Sequence, residues 1–415
     1  HDILIFHHYL AKLSNLHYKY YLLNVGQYEV LYSQLTMEYK NIGHIKHEIN
    51  QKEQMPYDIK SEQLLKVLSF QFQQPTHSFV KKDIDILSEE FTIKQHDFLP
   101  RSKFYTPLSF LSQLFFLLRN MVSAHLLVVQ FAGYHSFLPA LFGWLFRTPC
   151  VIIVGGTDAH YFPGIGYGNW QKPVLEIFTR LSFRLCSHIA PKHKTLMQFE
   201  YQYDANEPTK QGIYARIPGL QTPYTEITNG YDEVKWHCVA PKKPNTFITV
   251  SGAWEYHFQQ QFTGIDLILE VAPQFPNCEF IILGVDTDSR SQATSSNVKV
   301  LPAVKNEELI KVFSSCEYYL QLSMAEGFPN ALCEAMLCEC IPIGSAVFSM
   351  PEIIGDSGFV LQERNATLLS ALLKQVLAAD KQSLRAKARQ RIANNYTLAK
   401  RKASLLQLCA GLMGS

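Results

Sequence analysis

The sequence predicts an α/β protein made of two doubly wound halves, each a parallel sheet wrapped by helices. Three observations carry that reading. Short apolar runs alternate with helical stretches along the chain, the signature of βαβ units. The alternation stops once, at a polar, proline-bearing stretch past the middle, and then restarts. The length of 415 residues exceeds one ordinary core and suits two domains of roughly 200 residues each.

In the first half the runs are "ILIF" at 3–6, "YEVLY" at 28–32, "HLLVVQF" at 125–131, "CVIIVGG" at 150–156 and "SHIAP" at 187–191. The apolar stretch 126–146 is long enough to span a membrane. Gln130, Gly133, His135 and Pro139 interrupt it, however, and a strand over 126–131, a turn and a buried helix over 136–146 account for it better. The opening "HDILIFHHYL" shows neither the basic region nor the cleavage site of a signal peptide. Past "NGYDEVKW" the chain turns polar, and Val239 to Thr246 reads as a linker between domains at 1–238 and 247–415.

The second half opens with the strand "FITVSG" at 247–252 and the helix "GIDLILEVAPQF", followed by strands at 279–285 and 298–304. The helix "NEELIKVFSSC", the strand "YYLQLS" at 318–323, the strand "IPIGS" and tail helices from about Ala366 complete it. Ligands of such sheets sit beyond the carboxyl ends of the strands.

Composition narrows the function. Hydrophobic residues at 47% and charged residues at 18% describe a packed globular chain. A formal net charge of +2 lacks the basic excess of a nucleic-acid binder, so no nucleic acid is expected as a partner. Nine cysteines without metal-like or disulfide-like spacing read as reduced core thiols, which places the chain in the cytoplasm. The tail 381–403 is basic, with Arg385, Lys387, Arg389, Arg391, Lys400, Arg401 and Lys402 against no acid. A solvated helical face explains it, and a peripheral contact with the inner face of an anionic membrane is the alternative.

The stretch "MAEGFPNALCEAMLCECIPIG", 324–344, carries the chemistry. A strand runs into the turn "MAEGFP", and a helix follows with Pro329 near its start, where proline is tolerated. The amides of Asn330, Ala331 and Leu332 are then unpaired helix-start donors, suited to a phosphate. Glu326 lies just before that anion site and Glu334 one turn into the helix, so one carboxylate reaches each side of a bound diphosphate and accepts from sugar or ribose hydroxyls. An isolated pair at this spacing would more often be a helix cap and a solvated glutamate.

The block "EGFPNALCEAMLCECIPIGSAVFSMPEIIGDSGFVL" resembles the donor-binding block of retaining GT-B glycosyltransferases of the family 4 type. "ITNGYDEVKW" and "FTGID" at 262–266 extend the resemblance more weakly over the chain. It implies the GT-B architecture and a hexosyltransferase acting with retention in glycan or polysaccharide biosynthesis. The first domain would take the acceptor, a saccharide or a lipid-linked one, and the second the nucleotide sugar. No cofactor and no metal are implied; the nucleoside-diphosphate sugar is a substrate. Glu326 would hold donor-sugar hydroxyls and Glu334 the ribose, while Gly327, Phe328, Pro329 and Asn330 would hold the sugar and distal phosphate. Gly252 and Thr263 fall where the family's donor loop lies, but Thr263 replaces the usual lysine, so a basic pair for the diphosphate is not evident. His257 and Lys305 are candidates to fill that role.

On the other half, "VIIVGGTDAHYFPGIGYGNW" ends a strand in Gly155 and Gly156, then brings Asp158 and His160 and a loop rich in glycine and aromatic residues. Glycines let a ligand approach the backbone, and rings offer stacking faces to sugars. Gly155, Gly156 and His160 form an expected acceptor-side wall, with Asp158 joining Glu326 as a catalytic candidate. Asp286 and Asp288 in "VDTDS" offer hard-cation oxygens but lie far from this block, in a polar loop. A nucleotide-sugar epimerase of the same fold, or a non-catalytic sugar-nucleotide binder, are the alternative readings.

Overall fold

A computed structural model describes residues 65–72, 78–99, 103–251, 257–284 and 295–414. The runs at 3–6 and 28–32, Gly252, and the pair Asp286 and Asp288 lie outside the described residues. Two parallel sheets organise the rest. The first has the order β2-β1-β3-β4-β5, from β1 (Lys66–Phe72), β2 (Thr92–Phe98), β3 (Leu126–Gln130), β4 (Cys150–Val154) and β5 (His188–Pro191). β3 and β4 are buried along their whole length, as continuous apolar runs in a covered parallel sheet should be. Sequence reasoning passed over β1 and β2. β2, "TIKQHDF", is an edge strand with mostly exposed or half-exposed side chains, so no apolar run marks it. Two short strands that follow, β6 (Phe199–Glu200) and β7 (Lys210–Gln211), pair antiparallel with each other.

The second parallel sheet has the order β10-β9-β8-β11-β12-β13, from β8 (Lys243–Val250), β9 (Glu279–Leu283), β10 (Val298–Leu301), β11 (Cys316–Gln321), β12 (Ile341–Ser345) and β13 (Phe359–Leu361). Counted within this half, that is the 3-2-1-4-5-6 order of doubly wound folds, whose switch point falls between its first and fourth strands, β8 and β11. β8 begins at Lys243, inside the stretch read as linker, because "KPNT" pairs with β9 and β11 despite its polarity.

Helices Thr106–Asn120, Tyr134–Phe146 and Pro173–Leu185 lie on one face of the first sheet, around a core of Leu117, Ala140, Phe142, Ile152 and Phe183. The apolar stretch at 126–146 is therefore a strand and a helix, and no described helix is long and apolar enough to cross a membrane. On the opposite face, helix Ser78–Ser88 meets the last helix, Leu398–Met413, over Ile86, Leu87, Leu405 and Cys409. A buried ion pair fixes that meeting: Arg401 Nε and Nη2 each donate to Asp83 at 2.7 Å, and Nη1 donates to the carbonyls of Ile227 and Thr228.

The charges of the basic tail are largely paired within the protein, though its helix keeps an exposed side. Arg385 pairs with Glu317, Lys387 with Asp356 and Lys402 with Glu89. Arg389 and Arg391 donate to backbone carbonyls of Trp236, Leu337 and Ile353, and Lys400 to that of Asn394. The charges tie helices to the body of the protein.

Candidate active site

A cleft of about 1880 Å³ opens where the carboxyl ends of β3, β4 and β5 face the end of β11. Among the first-half residues that line it are three segments at strand ends, Phe131 to His135 after β3, Gly155 to Asp158 after β4, and Lys192 after β5, together with residues of the flanking helices. Ala325 to Phe328 and Asn330, after β11, line it from the second half.

The two sides touch through glycine backbone. A Cβ at Gly327 would stand 1.7 Å from the carbonyl oxygen of Gly155, and one at Gly155 would stand 1.8 Å from the ring of Phe131. Phe131 itself adopts φ 65°, a left-handed conformation that costs a bulky residue energy and recurs at functional sites.

Glu326 is oriented by a relay from β11. Tyr319 Oη donates to Gln321 Oε1 at 3.0 Å, and Gln321 Nε2 donates to Glu326 Oε1 at 2.9 Å and to Ser323 Oγ at 2.8 Å. Burial pushes the Glu326 carboxyl up to about 7, against the lowering pull of the Ser323 and Gln321 hydrogen bonds. Helix Asn330–Leu337 begins right after this loop with Pro329 at its N-cap and no side-chain cap, which leaves its first amides to a ligand. The Asn330 side chain is committed elsewhere: its Oδ1 accepts from Asn229 Nδ2 at 3.0 Å and Tyr231 Oη at 2.9 Å, which anchors the loop to the segment "TNGYD".

The remaining donor-side candidates spread out. Pro329 and Ala331 form the helix start, and Phe328 packs against Tyr231 and Tyr396. Glu334 is not among the cleft-lining residues. Burial pushes its carboxyl up to about 7, while Lys82 and Lys235 pull it down. Thr263 closes helix His257–Thr263 beside Phe262, whose carbonyl accepts from the Met324 amide at 2.8 Å, so residue 263 abuts the β11 loop. Lys305 caps helix Asn306–Ser315, away from the cleft lining.

On the acceptor side the candidates differ in how far they reach the cleft. Asp158 is fully buried, and its oxygens accept from the amides of Ala132 (2.9 Å), Gly156 (3.0 Å) and Gly155 (3.2 Å). It borders the cleft, and its oxygens, turned to the backbone, clamp the loops after β3 and β4 together. Burial nonetheless raises its carboxyl above the ordinary value, against those amide donors. Gly155 and Gly156 line the cleft, whereas the His160 ring lies behind them, 4.2 Å from the ring of Phe348. Burial lowers His160 to about 3, so the imidazole is neutral.

Lys192 and His135 are among the lining residues that escaped the sequence reading. Lys192 is buried and sits with Nζ 5.2 Å from the Phe131 ring centroid; burial brings it down to about 7. Its signal was its place, the first residue beyond β5. His135 bonds the Gln130 carbonyl through Nε2 at 2.8 Å, which makes that nitrogen the donor and leaves the Nδ1 lone pair; burial lowers it to about 4.

Residues 240–396 match the sequence profile of the family described as glycosyl transferases group 1. The match is confined to that segment, which is less than half of the chain. It contains the β11 loop, Glu326 and Glu334. The O-antigen chain mannosyltransferase B of Escherichia coli is 32% identical over 83 residues, 20% of this chain and 22% of that protein. A phosphatidylinositol N-acetylglucosaminyltransferase component of Arabidopsis thaliana is 27% identical over 111 residues, 24% of this chain and 25% of that protein. The matches thus span about a quarter of these relatives or less. In fold, the sucrose-phosphate synthase of Thermosynechococcus elongatus aligns with TM-score 0.63 and 13% identity over 84% of this chain and 99% of its own. The HepE protein of Anabaena, solved with UDP and glucose, aligns with TM-score 0.60 and 13% identity over 84% of this chain and 100% of its own. The matched segment and the sheet before it together have the GT-B architecture.

Proposed function

We propose that the protein is a glycosyltransferase that moves a sugar from a nucleoside-diphosphate sugar to an acceptor hydroxyl with retention and without a metal, in glycan or polysaccharide biosynthesis. The observation that carries this is the β11 loop of the matched segment, where a Glu326 fixed by Gln321 stands at the cleft beside an uncapped helix start. The helix-start amides take the diphosphate, and Glu326, ionised, accepts from donor-sugar hydroxyls. Lys192, when protonated, faces the charge that develops on the departing diphosphate and fills the place of the missing basic pair. The half that ends at 238 then takes the acceptor against Gly155 and Gly156, and residues 247–415 take the donor.

The names of the relatives and neighbours make nucleotide-linked mannose, N-acetylglucosamine and glucose the first donors to try. The test is release of nucleoside diphosphate, with the anomer of any product read by NMR. Transfer with retained configuration supports the reading. An altered sugar still attached to its nucleotide would make the protein an epimerase, and saturable binding without turnover a non-catalytic binder.

A further inference from the structure

Helix Thr106–Asn120 is apolar on two sides. One side faces the core through Leu117. On the other, Leu108, Leu111, Phe115 and Leu118 recur at spacings of three and four residues and are 57%, 48%, 68% and 55% exposed. Phe104 and Val122 extend the same stripe at either end, 92% and 95% exposed. Helix Pro173–Leu185, in the same layer, repeats the pattern with Val174, Ile177 and Leu181. The rings of Phe110 and Phe178, 5.4 Å apart, join the two helices. Single exposed apolar residues are ordinary; two aligned stripes on one face are not.

The stripes continue into the cleft. Leu111 and Val174 both line it and are both exposed, so they form its lip, and behind them Phe110, Leu114, Leu138 and Phe178 make an apolar arm leading toward Gly155 and Glu326. A free saccharide gains little from such a wall. Charge selects the occupant. Within and flanking the three helices of this layer stand Arg119, Arg147, Lys172, Arg180 and Arg184, against the single acid Glu176, which Arg180 neutralises at 2.5 Å. An apolar face with a cationic rim suits the interface of an anionic bilayer.

We infer that this face seats on an anionic lipid bilayer and that the apolar arm of the cleft receives the hydrocarbon chain of an amphiphilic acceptor drawn from it. The inference deepens the transferase reading by naming the acceptor class, and its membrane half stands apart from that reading. The cationic rim and the apolar stripe act together: the first draws the protein to the surface and the second holds it there. The basic tail is not part of this face, and its charges pair with Glu317, Asp356, Asp83 and Glu89.

The experiment is flotation of the whole chain with vesicles of phosphatidylcholine, with and without phosphatidylglycerol, alongside binding of UDP and GDP. The expected result is flotation with the anionic vesicles, weaker at high salt. The triple variant Leu108→Ser, Phe115→Ser, Leu118→Ser should lose flotation, and Arg119→Gln with Arg184→Gln should reduce it about fivefold per charge. None of these five residues lines the cleft, so nucleoside-diphosphate binding should persist in every variant and report an intact fold. Wild-type protein that binds a nucleoside diphosphate but does not float, or flotation unchanged in the triple variant, would overturn the inference. Flotation without nucleoside-diphosphate binding would leave the membrane face standing and remove the transferase reading. The chain-binding half is tested with Phe178→Asp and n-alkyl glycosides: tighter binding as the alkyl chain lengthens, lost in the variant, supports it, and binding indifferent to chain length contradicts it.

Discussion

The loops after β4 and β11 meet backbone to backbone at Gly155 and Gly327, yet they treat their buried carboxylates in opposite ways. Asp158 spends its oxygens on three amides of its own half. Glu326 is held by one side-chain donor relay and keeps acceptor capacity facing the cleft. A carboxylate saturated by backbone builds a wall; one steadied from behind can meet a ligand. Burial and residue type alone do not separate the two, and the donors do.

Changing each carboxylate should therefore break different things. The largest effect expected is on activity: Glu326→Gln removes an ionised acceptor with little change of shape. Hydrogen bonds to a charged group are worth roughly 1.5–3 kcal/mol, so turnover should fall tenfold to more than a hundredfold while the far-UV spectrum stays native. Wild-type turnover in the folded variant would remove Glu326 from the site. Asp158→Asn should instead show first in stability. It turns two acceptor oxygens into one oxygen and an amide that opposes neighbouring N–H groups, a cost of about 1–3 kcal/mol in denaturant melts. An unchanged midpoint would mean that the clamp is dispensable.

A smaller effect separates the carboxylates by pH. Glu326 titrates near 7 in the folded chain and near 4.5 ordinarily, so the folded state holds its proton more tightly. Its ionisation therefore withdraws stability as pH rises from 4.5 toward 7. Glu326→Gln should raise stability at about pH 8, by on the order of 1–2 kcal/mol for a part-exposed group, and leave it unchanged below about pH 4. Equal effects at both pH values would mean that packing, not charge, is responsible. Smallest is Glu334→Ala, which, if Glu334 holds the ribose away from the reacting carbon, should weaken nucleoside-diphosphate affinity several-fold with little change in kcat. Unchanged affinity in a titration would reduce Glu334 to a partner of Lys82 and Lys235.

The two halves also differ in how much the sequence disclosed. In the second half, the apolar runs for β9 and β11 and the turn into helix Asn330–Leu337 were legible because a parallel sheet covered on both faces needs continuous apolar strands and the helix needs its proline at the start. In the first half, β2 left no trace because an edge strand shares one ladder and faces solvent. Lys192 left none because one lysine after a strand has no periodicity, and its meaning comes from lining the same cleft as Glu326. Asp158 could be placed near the cleft from "GGTDAH", but the direction of its oxygens depends on the amide of Ala132, which the fold brings from 26 residues away. The pairing of the basic tail was illegible for a similar reason: its partners, Glu317, Asp356 and Asp83, are remote in sequence.

The most direct test of the central claim is amide hydrogen exchange with and without a saturating nucleoside diphosphate. The account predicts slowed exchange concentrated in 326–332, the β11 loop and the helix start, and reduced slowing there in Glu326→Gln only when the sugar nucleotide replaces the diphosphate. Slowing confined to other segments, with 326–332 exchanging as in the free protein, would contradict it.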